Sequence, residues 1–216
     1  MNDIFDARLK TSFGCICSGP PMSGKTRWIC DLLRNQETHI DNPFDYIFWF
    51  YGEHNKAVEQ LEKELGGKLI SVHGLPDNIE DYIDKNRRGL HIYDDLQTAV
   101  SQSQKIGELC AFKTQHSNLS WIVTYQNLFY KSSERLNLYR CCHYLTVFGN
   151  ILDKSQIHHL AHKILPGKQK LFVKMFEKAT ETEHSYLFID GKTSCPQEAR
   201  FRTDMFSGHQ KVFIIE

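Results

Sequence analysis

Apolar and polar positions along the chain fall into two alternating kinds of segment. Runs rich in β-branched and aromatic residues predict strands at residues 11–18, 45–51, 69–72, 89–95, 119–125, 143–150, 185–190 and 211–215. Helical spacing of apolar residues, or an acidic first turn, predicts helices at 26–34, 56–65, 77–86, from about 96, 155–164 and 168–179. Strands that alternate with helices indicate an α/β fold, with a mostly parallel central sheet covered by helices on both faces.

Composition limits the class of protein. A chain of 216 residues with 41% hydrophobic and 24% charged residues can bury a sizeable core, so we expect one domain over residues 1–216. No apolar run approaches the ~20 residues that span a bilayer. Seven cysteines without a CxxC pair favour a reducing, intracellular compartment over structural zinc. A formal net charge of zero argues against a protein that coats nucleic acid, but it allows local basic contacts.

The loop between the first predicted strand and the first helix fits the pattern G-x-x-x-x-G-K-[ST]. In this context the backbone N–H groups and the helix N-terminus converge on phosphate oxygens. Lys25 would reach the β and γ phosphates of ATP or GTP, and the Thr26 hydroxyl would help to hold Mg²⁺. The alternative is a glycine-rich turn that opens a helix by chance. The predicted cofactor-binding residues are Gly19, Pro20, Pro21, Met22, Ser23, Gly24, Lys25 and Thr26.

Two carboxylates end the apolar strand at residues 89–95. In P-loop enzymes such a strand delivers an Asp to the Mg²⁺ shell, so we assign Asp94 to the metal through a water molecule. Asp95 beside it would then activate the attacking water. The alternative is an Asp-Asp turn that caps the helix starting near Leu96.

A polar pair, Gln126 and Asn127, follows the strand at residues 119–125. Ligands of open α/β sheets bind at this carboxyl edge. The Gln126 amide could sense the γ-phosphate or position water, as glutamine does in other P-loop enzymes. The alternative is a simple turn after a strand.

Taken together, these motifs resemble the FtsK/HerA-like genome-packaging ATPases of double-stranded DNA viruses, especially the poxvirus-type branch found also in Maverick/Polinton elements. The resemblance runs from about residue 13 to about residue 206. It rests on the phosphate loop and on the segments 92–96, 115–120, 124–129, 143–150, 153–161 with Pro166, 179–190 and 200–203.

The resemblance implies an ATP-hydrolysing motor that translocates double-stranded DNA without sequence preference into a capsid. It implies a homo-oligomeric ring of about five or six subunits, contacts with capsid or vertex proteins, and no membrane span. The site of action would be the host nucleus or a virus assembly site, or the virion itself. The catalytic arginine would come from a neighbouring subunit, with Arg140 preferred over Arg135 and Arg88 because it precedes the strand from His143, near the carboxyl edge that carries Gln126. Lys105 and Lys113, in the loop after the helix that begins near residue 96, would contact DNA phosphates.

Two other functions stay open from the sequence. A small nucleotide or nucleoside kinase would need an acceptor pocket and an arginine-rich lid, and no such lid is evident. A nucleotide-dependent assembly factor without enzymatic activity would have no use for a water-activating carboxylate such as Asp95. Turnover with and without DNA separates these two from a motor.

Overall fold

A nine-stranded sheet organises the protein, whose computed structural model describes residues 6–113, 117–129 and 138–215. The sheet order is β3-β2-β4-β5-β1-β6-β7-β8-β9. In chain order the strands are β1 (Gly14–Ser18), β2 (Tyr46–Tyr51), β3 (Leu69–His73), β4 (Gly89–Asp94), β5 (Leu119–Tyr125), β6 (Tyr144–Phe148), β7 (Tyr186–Asp190), β8 (Phe201–Thr203) and β9 (Lys211–Phe213).

The strands from β3 to β6 in this order are all parallel, and β7, β8 and β9 are added antiparallel. The carboxyl ends of β1, β4 and β5 therefore lie side by side at one edge of the sheet. Ser18 pairs with Tyr125, and Tyr51 pairs with Asp94. This alignment brings together polar residues that are far apart in the sequence.

Helices cover both faces of the sheet, as the sequence predicts. They are α1 (Lys25–Arg34), α2 (Gln36–His39), α3 (Lys56–Leu65), α4 (Gln97–Gln102), α5 (Gln104–Glu108), α6 (Ser155–Ile164) and α7 (Gln169–Ala179). On one face α1 and α3 bury Leu32 and Leu61 against a core that includes Trp49. On the other face α6 and α7 bury Leu160 and Phe176 in a separate core. Two apolar cores, one on each side, are what a covered parallel sheet requires.

Several segments differ from the sequence prediction. The predicted helix at 77–86 is wrong, because the chain makes only a short 3₁₀ turn at Ile79–Tyr82. The predicted loop after α4 is also wrong: α5 continues into a π-helical turn at Leu109–Lys113. Lys105 therefore lies on a helix. The short strand β8 has no counterpart in the prediction.

Across the described ranges, every helix is too short or too polar to cross a lipid bilayer.

Candidate nucleotide-binding site

The loop from residue 19 to residue 24 joins the end of β1 to the start of α1. Gly24 has a φ of 106°, which side chains rarely adopt, and the first N–H groups of α1 follow directly. A Cβ on Gly19 would lie 2.7 Å from both Phe148 Cβ and Ser23 Oγ. Glycine is therefore needed at both ends of the loop, once for conformation and once for space. The loop has the tight, open-backbone form that cradles phosphates.

Lys25, the first residue of α1, places a cation against this loop. Its side chain is buried, and its ammonium group donates to the carbonyl groups of Gly19 and Pro20, both at 2.9 Å. Burial lowers the pKa of Lys25, while the carboxylates of Asp95 and Asp94 oppose that shift. A buried ammonium group with neutral partners can exchange its carbonyl contacts for phosphate oxygens.

Asp94 is held between two threonine hydroxyl groups. Thr26 Oγ1 donates to Asp94 Oδ2 at 3.0 Å, and Thr124 Oγ1 donates to Asp94 Oδ1 at 2.8 Å. Burial raises the pKa of Asp94, and the hydrogen bond from Thr124 opposes this. A hydroxyl and a carboxylate at the phosphate loop are hard oxygen donors of the kind that Mg²⁺ prefers. Thr26 and Asp94 could together hold a metal ion, and their part in metal binding stays a prediction.

Asp95 turns away from the sheet into the cleft. Its φ of 54° is unusual for a non-glycine residue, and its side chain is exposed beside Lys25. One hydrogen bond holds this backbone, and Gly52 lies close to it. The Asp95 N–H donates to Thr124 Oγ1 at 3.0 Å, and a Cβ on Gly52 would lie only 2.6 Å from the Asp95 carbonyl oxygen. Strain of this kind at a carboxylate is typical of functional sites.

A cavity of about 740 Å³ lies over the loop and the three strand ends. It is large enough for a cofactor-sized molecule. Gln126 lies at its wall, with its N–H donating to Gln97 Oε1 at 3.1 Å. The residues that line the cavity are Pro21, Met22, Gly24, Lys25, Thr26, Arg27, Gly52, Glu53, Asn55, Asp95 and Gln126.

The arginine and lysine candidates lie elsewhere. Arg140 is exposed and does not line this cavity. It precedes His143, whose N–H donates to Gly14 at the amino end of β1, so the expectation that it lies near Gln126 is wrong. Arg88 is paired with Asp45 at 2.9 Å, also before a strand. Lys105 donates to the Asp77 carbonyl at 3.0 Å. Arg135, the side chain of Lys113 and residues 115–116 of the family motif lie outside the described residues.

Three contributors to the site are absent from the sequence prediction. Thr124 holds both Asp94 and Asp95, Glu53 adds a third carboxylate to the cleft, and Gly52 gives that turn its room. The signal for Thr124 is a polar residue near the end of an otherwise apolar strand. The sequence signal for Glu53 is weaker. Glu53 follows β2, and nothing in the sequence shows that β2 lies next to β4.

Comparison with solved structures confirms the α/β P-loop NTPase fold. The DNA-packaging ATPase B204 of Sulfolobus turreted icosahedral virus superposes with a TM-score of 0.56, covering 94% of this chain and 98% of that one at 10% identity. The genome packaging NTPase B204 of Sulfolobus turreted icosahedral virus 2, in complex with ATP-gammaS, gives 0.55, with 93% and 95% covered at 12% identity. Its complex with AMPPCP gives 0.54, with 94% and 98% covered at 12% identity.

At such low identity the likeness establishes the fold alone. No protein-family model matches the sequence, and no curated protein matches it.

Proposed function

We propose that this protein is a Mg²⁺-dependent ATPase that works as a ring motor and packages double-stranded DNA into a viral capsid. The observation that carries the proposal is the meeting of five predicted groups in one cleft. Lys25 and Thr26 come from the phosphate loop, Asp94 and Asp95 from β4, and Gln126 from the end of β5. These are the parts that phosphoryl transfer to water needs.

Charge neutralisation comes first in this mechanism. Lys25 releases the carbonyl groups of Gly19 and Pro20 and binds the β and γ phosphates. The Thr26 hydroxyl, with Asp94 acting through a water molecule, would hold Mg²⁺. The metal would supply positive charge at the β and γ phosphate oxygens. Because Lys25 and Asp94 are both buried, these charges act in a medium of low dielectric constant.

The attacking water belongs to the carboxylate side of the cleft. Asp95 is exposed to the cavity and accepts the water's proton, whereas Asp94 is occupied by two hydroxyl groups. Gln126, at the end of the strand between β1 and β4, orients the water and senses the γ-phosphate. Since both groups favour water as the acceptor, hydrolysis is proposed over a kinase reaction.

The motor part of the proposal rests on the family resemblance and on the shared fold with DNA-packaging ATPases. In this proposal the poxvirus-type branch is the relevant one, and about five or six subunits form the ring. Each subunit supplies an arginine to its neighbour's cleft. Arg140 remains the first candidate. It lies away from the cleft of its own subunit, so its side chain could reach the cleft of a neighbouring subunit. Capsid or vertex proteins are the proposed partners, at the nucleus or a virus assembly site.

DNA contacts would be made to phosphates and would carry no sequence information. Lys105 and Lys113 remain the candidates for these contacts. Because the net charge of the protein is zero, DNA would be attracted by local basic groups and not by an overall positive charge. We expect the double Ala variant of these lysines to lose DNA-stimulated hydrolysis equally on all sequences and to show a flatter salt dependence. Basal hydrolysis should stay as in the wild type.

The test is phosphate release from ATP by the full chain, with and without linear double-stranded DNA, together with the mass of the assembly. We expect DNA to raise turnover and ATP to favour a ring. Transfer of phosphate to a small acceptor instead of water would establish the kinase alternative. Nucleotide binding without any turnover, alone or with DNA, would establish an assembly factor.

A further inference from the structure

Amide side chains hold the short segment that follows β5. The strand ends at Tyr125, and the next backbone N–H groups bind side chains instead of strands. The N–H of Gln126 donates to Gln97 Oε1 at 3.1 Å, and the N–H of Leu128 donates to Gln156 Oε1 at 2.7 Å. Two glutamines from other elements therefore fix the chain where it leaves the sheet.

Gln97 links Gln126 to the Asp95 turn. It is the first residue of α4 and lies two residues after Asp95. Asp95 and Gln126 both line the nucleotide cavity. In the proposed function the first accepts the proton of the attacking water and the second orients that water. One hydrogen bond thus connects the two backbone turns whose side chains act on the same molecule.

Gln156 ties the segment to α6. It lies in the first turn of that helix, and its Nε2 group donates to Asp153 Oδ2 at 2.7 Å, so both polar ends of the amide are used. A small cavity of about 20 Å³ has Gly19, Gln126 and Gln156 among its lining residues. Gln156 therefore lies close to the start of the phosphate loop as well as to Gln126.

The same face of α6 extends this contact. Phe129 packs edge-on against His159, with ring centroids 4.5 Å apart, and Lys163 Nζ lies 4.8 Å from the centroid of the Phe129 ring. Positions 156, 159 and 163 are spaced i, i+3 and i+7, so they lie on one face of the helix. Leu128 is buried between these contacts. The end of the segment is thus fixed to α6, and its beginning is fixed to α4.

We propose that Gln97 and Gln156 are positioning residues for hydrolysis, which hold Gln126 where its amide orients the attacking water beside Asp95. The inference rests on the proposed function, because it concerns the same site. Neither Gln97 nor Gln156 lines the nucleotide cavity, so both act through Gln126 and not on the nucleotide.

A neutral amide suits this function. The oxygens of Gln97 and Gln156 accept hydrogen bonds without adding charge, so the field that Lys25 and the two aspartates set up in the cleft is unchanged. An error of about 1 Å in the position of a catalytic group can lower a rate about 100-fold. Loss of one of two tethers allows a smaller displacement, so we expect a loss of about tenfold.

The experiment is a double-mutant cycle on phosphate release from Mg-ATP by the full chain. Gln97→Ala and Gln156→Ala should each lower kcat about tenfold, and KM for ATP should stay within about twofold of the wild type. In a Gln126→Ala background, either substitution should change kcat by less than about twofold, because residues that act through one side chain are not additive. Gln60→Ala is the matched control, since this exposed glutamine on α3 donates to Glu64 within its own helix.

Two further measurements separate positioning from folding. Melting temperatures show whether each variant is folded, and Gln156→Met, of similar length but without the acceptor, replaces Gln156→Ala if the latter does not fold. Hydrogen exchange should be faster at the backbone amides of residues 126–129 in the folded variants than in the wild type, because the N–H groups lose their acceptors.

A wild-type kcat in folded Gln97→Ala or Gln156→Ala would remove that residue from the proposal. A full tenfold loss that persists in the Gln126→Ala background would also overturn it, since the glutamines would then act by another route. Failure of the proposed function looks different. In that case the wild-type chain itself releases no phosphate from Mg-ATP, and both inferences fall together.

Discussion

The hydroxyl group of Thr26 donates a hydrogen bond to Asp94 Oδ2 at 3.0 Å. This contact joins the first turn of α1 to the last residue of β4. Because Thr124 binds the other oxygen of the same carboxylate, Asp94 has one fixed orientation toward the phosphate loop. The metal-binding function that we propose for Thr26 and Asp94 follows from this geometry.

Replacing that carboxylate should affect the metal more than the nucleotide. We expect Asp94→Asn to weaken binding of Mg-ATP about tenfold, since the amide lacks the negative charge that would hold the metal's water. Binding of ATP in EDTA should remain as in the wild type. Titrations with and without Mg²⁺ measure both. A variant whose affinity still rises with Mg²⁺ as the wild type's does would remove Asp94 from the metal site.

The neighbouring carboxylate should show the opposite pattern. Asp95→Asn should keep Mg-ATP bound and lose most turnover, about 100-fold or more, because an amide cannot accept the water's proton. Gln126→Ala should show a milder form of this defect or lose the coupling to DNA. Single-turnover phosphate release and equilibrium binding separate the two effects. If Asp95→Asn loses binding while Asp94→Asn loses only turnover, the two functions are exchanged.

The close approach of Gly52 to the Asp95 turn gives a structural test. In Gly52→Ala the new Cβ would lie 2.6 Å from the Asp95 carbonyl oxygen, so one of the two turns has to move. We expect a stability loss of about 1–3 kcal/mol and a lower turnover, with nucleotide binding retained. Gly67→Ala is the matched control, because beyond its own chain neighbours no side chain or backbone atom lies within 4 Å of its Cβ position. Equal melting temperatures and turnover in the two variants would contradict this packing.

His91 gives a prediction for pH. It is buried, and burial lowers its pKa to about 4, although its Nε2–H donates to the Tyr82 carbonyl at 2.9 Å. Between the unfolded pKa of about 6.5 and this value, the unfolded chain binds more protons, so stability falls as the pH drops. The full loss, below both pKa values, is of the order of 3 kcal/mol.

Unfolding in denaturant at pH 7.5 and pH 5 measures this effect. His91→Phe, which cannot be protonated, should be less sensitive to pH over that range than the wild type. The same pH dependence in both proteins would show that His91 does not cause it.

Strong local patterns could be predicted from the sequence. α3 and α6 begin and end at the predicted residues, because their apolar spacing and flanking signals agree. The segment at 77–86 has the acidic start of a helix, but of its residues only Ile79 is buried. One buried residue cannot hold a longer helix against the sheet.

The site could be predicted in part. Motifs within one segment predicted Lys25, Thr26, Asp94, Asp95 and Gln126 as site residues, and the structure brings them to one cleft. Thr124 and Glu53 were not predicted as site residues, because their contribution depends on which strands are neighbours in the sheet. That order is set by contacts between distant segments, such as the pairing of Tyr51 with Asp94. For the same reason, the amino-end position of Arg140 became clear only from the sheet register.

The central claim is that Lys25 and its loop bind and hydrolyse a nucleoside triphosphate. The most direct measurement is steady-state phosphate release from Mg-ATP by the purified wild-type chain and by Lys25→Ala, with Lys170→Ala, an exposed residue on α7, as the control. We predict turnover in the wild type and in Lys170→Ala, and none in Lys25→Ala, whose binding of ATP should also be severely weakened. Wild-type turnover in purified Lys25→Ala would contradict the account.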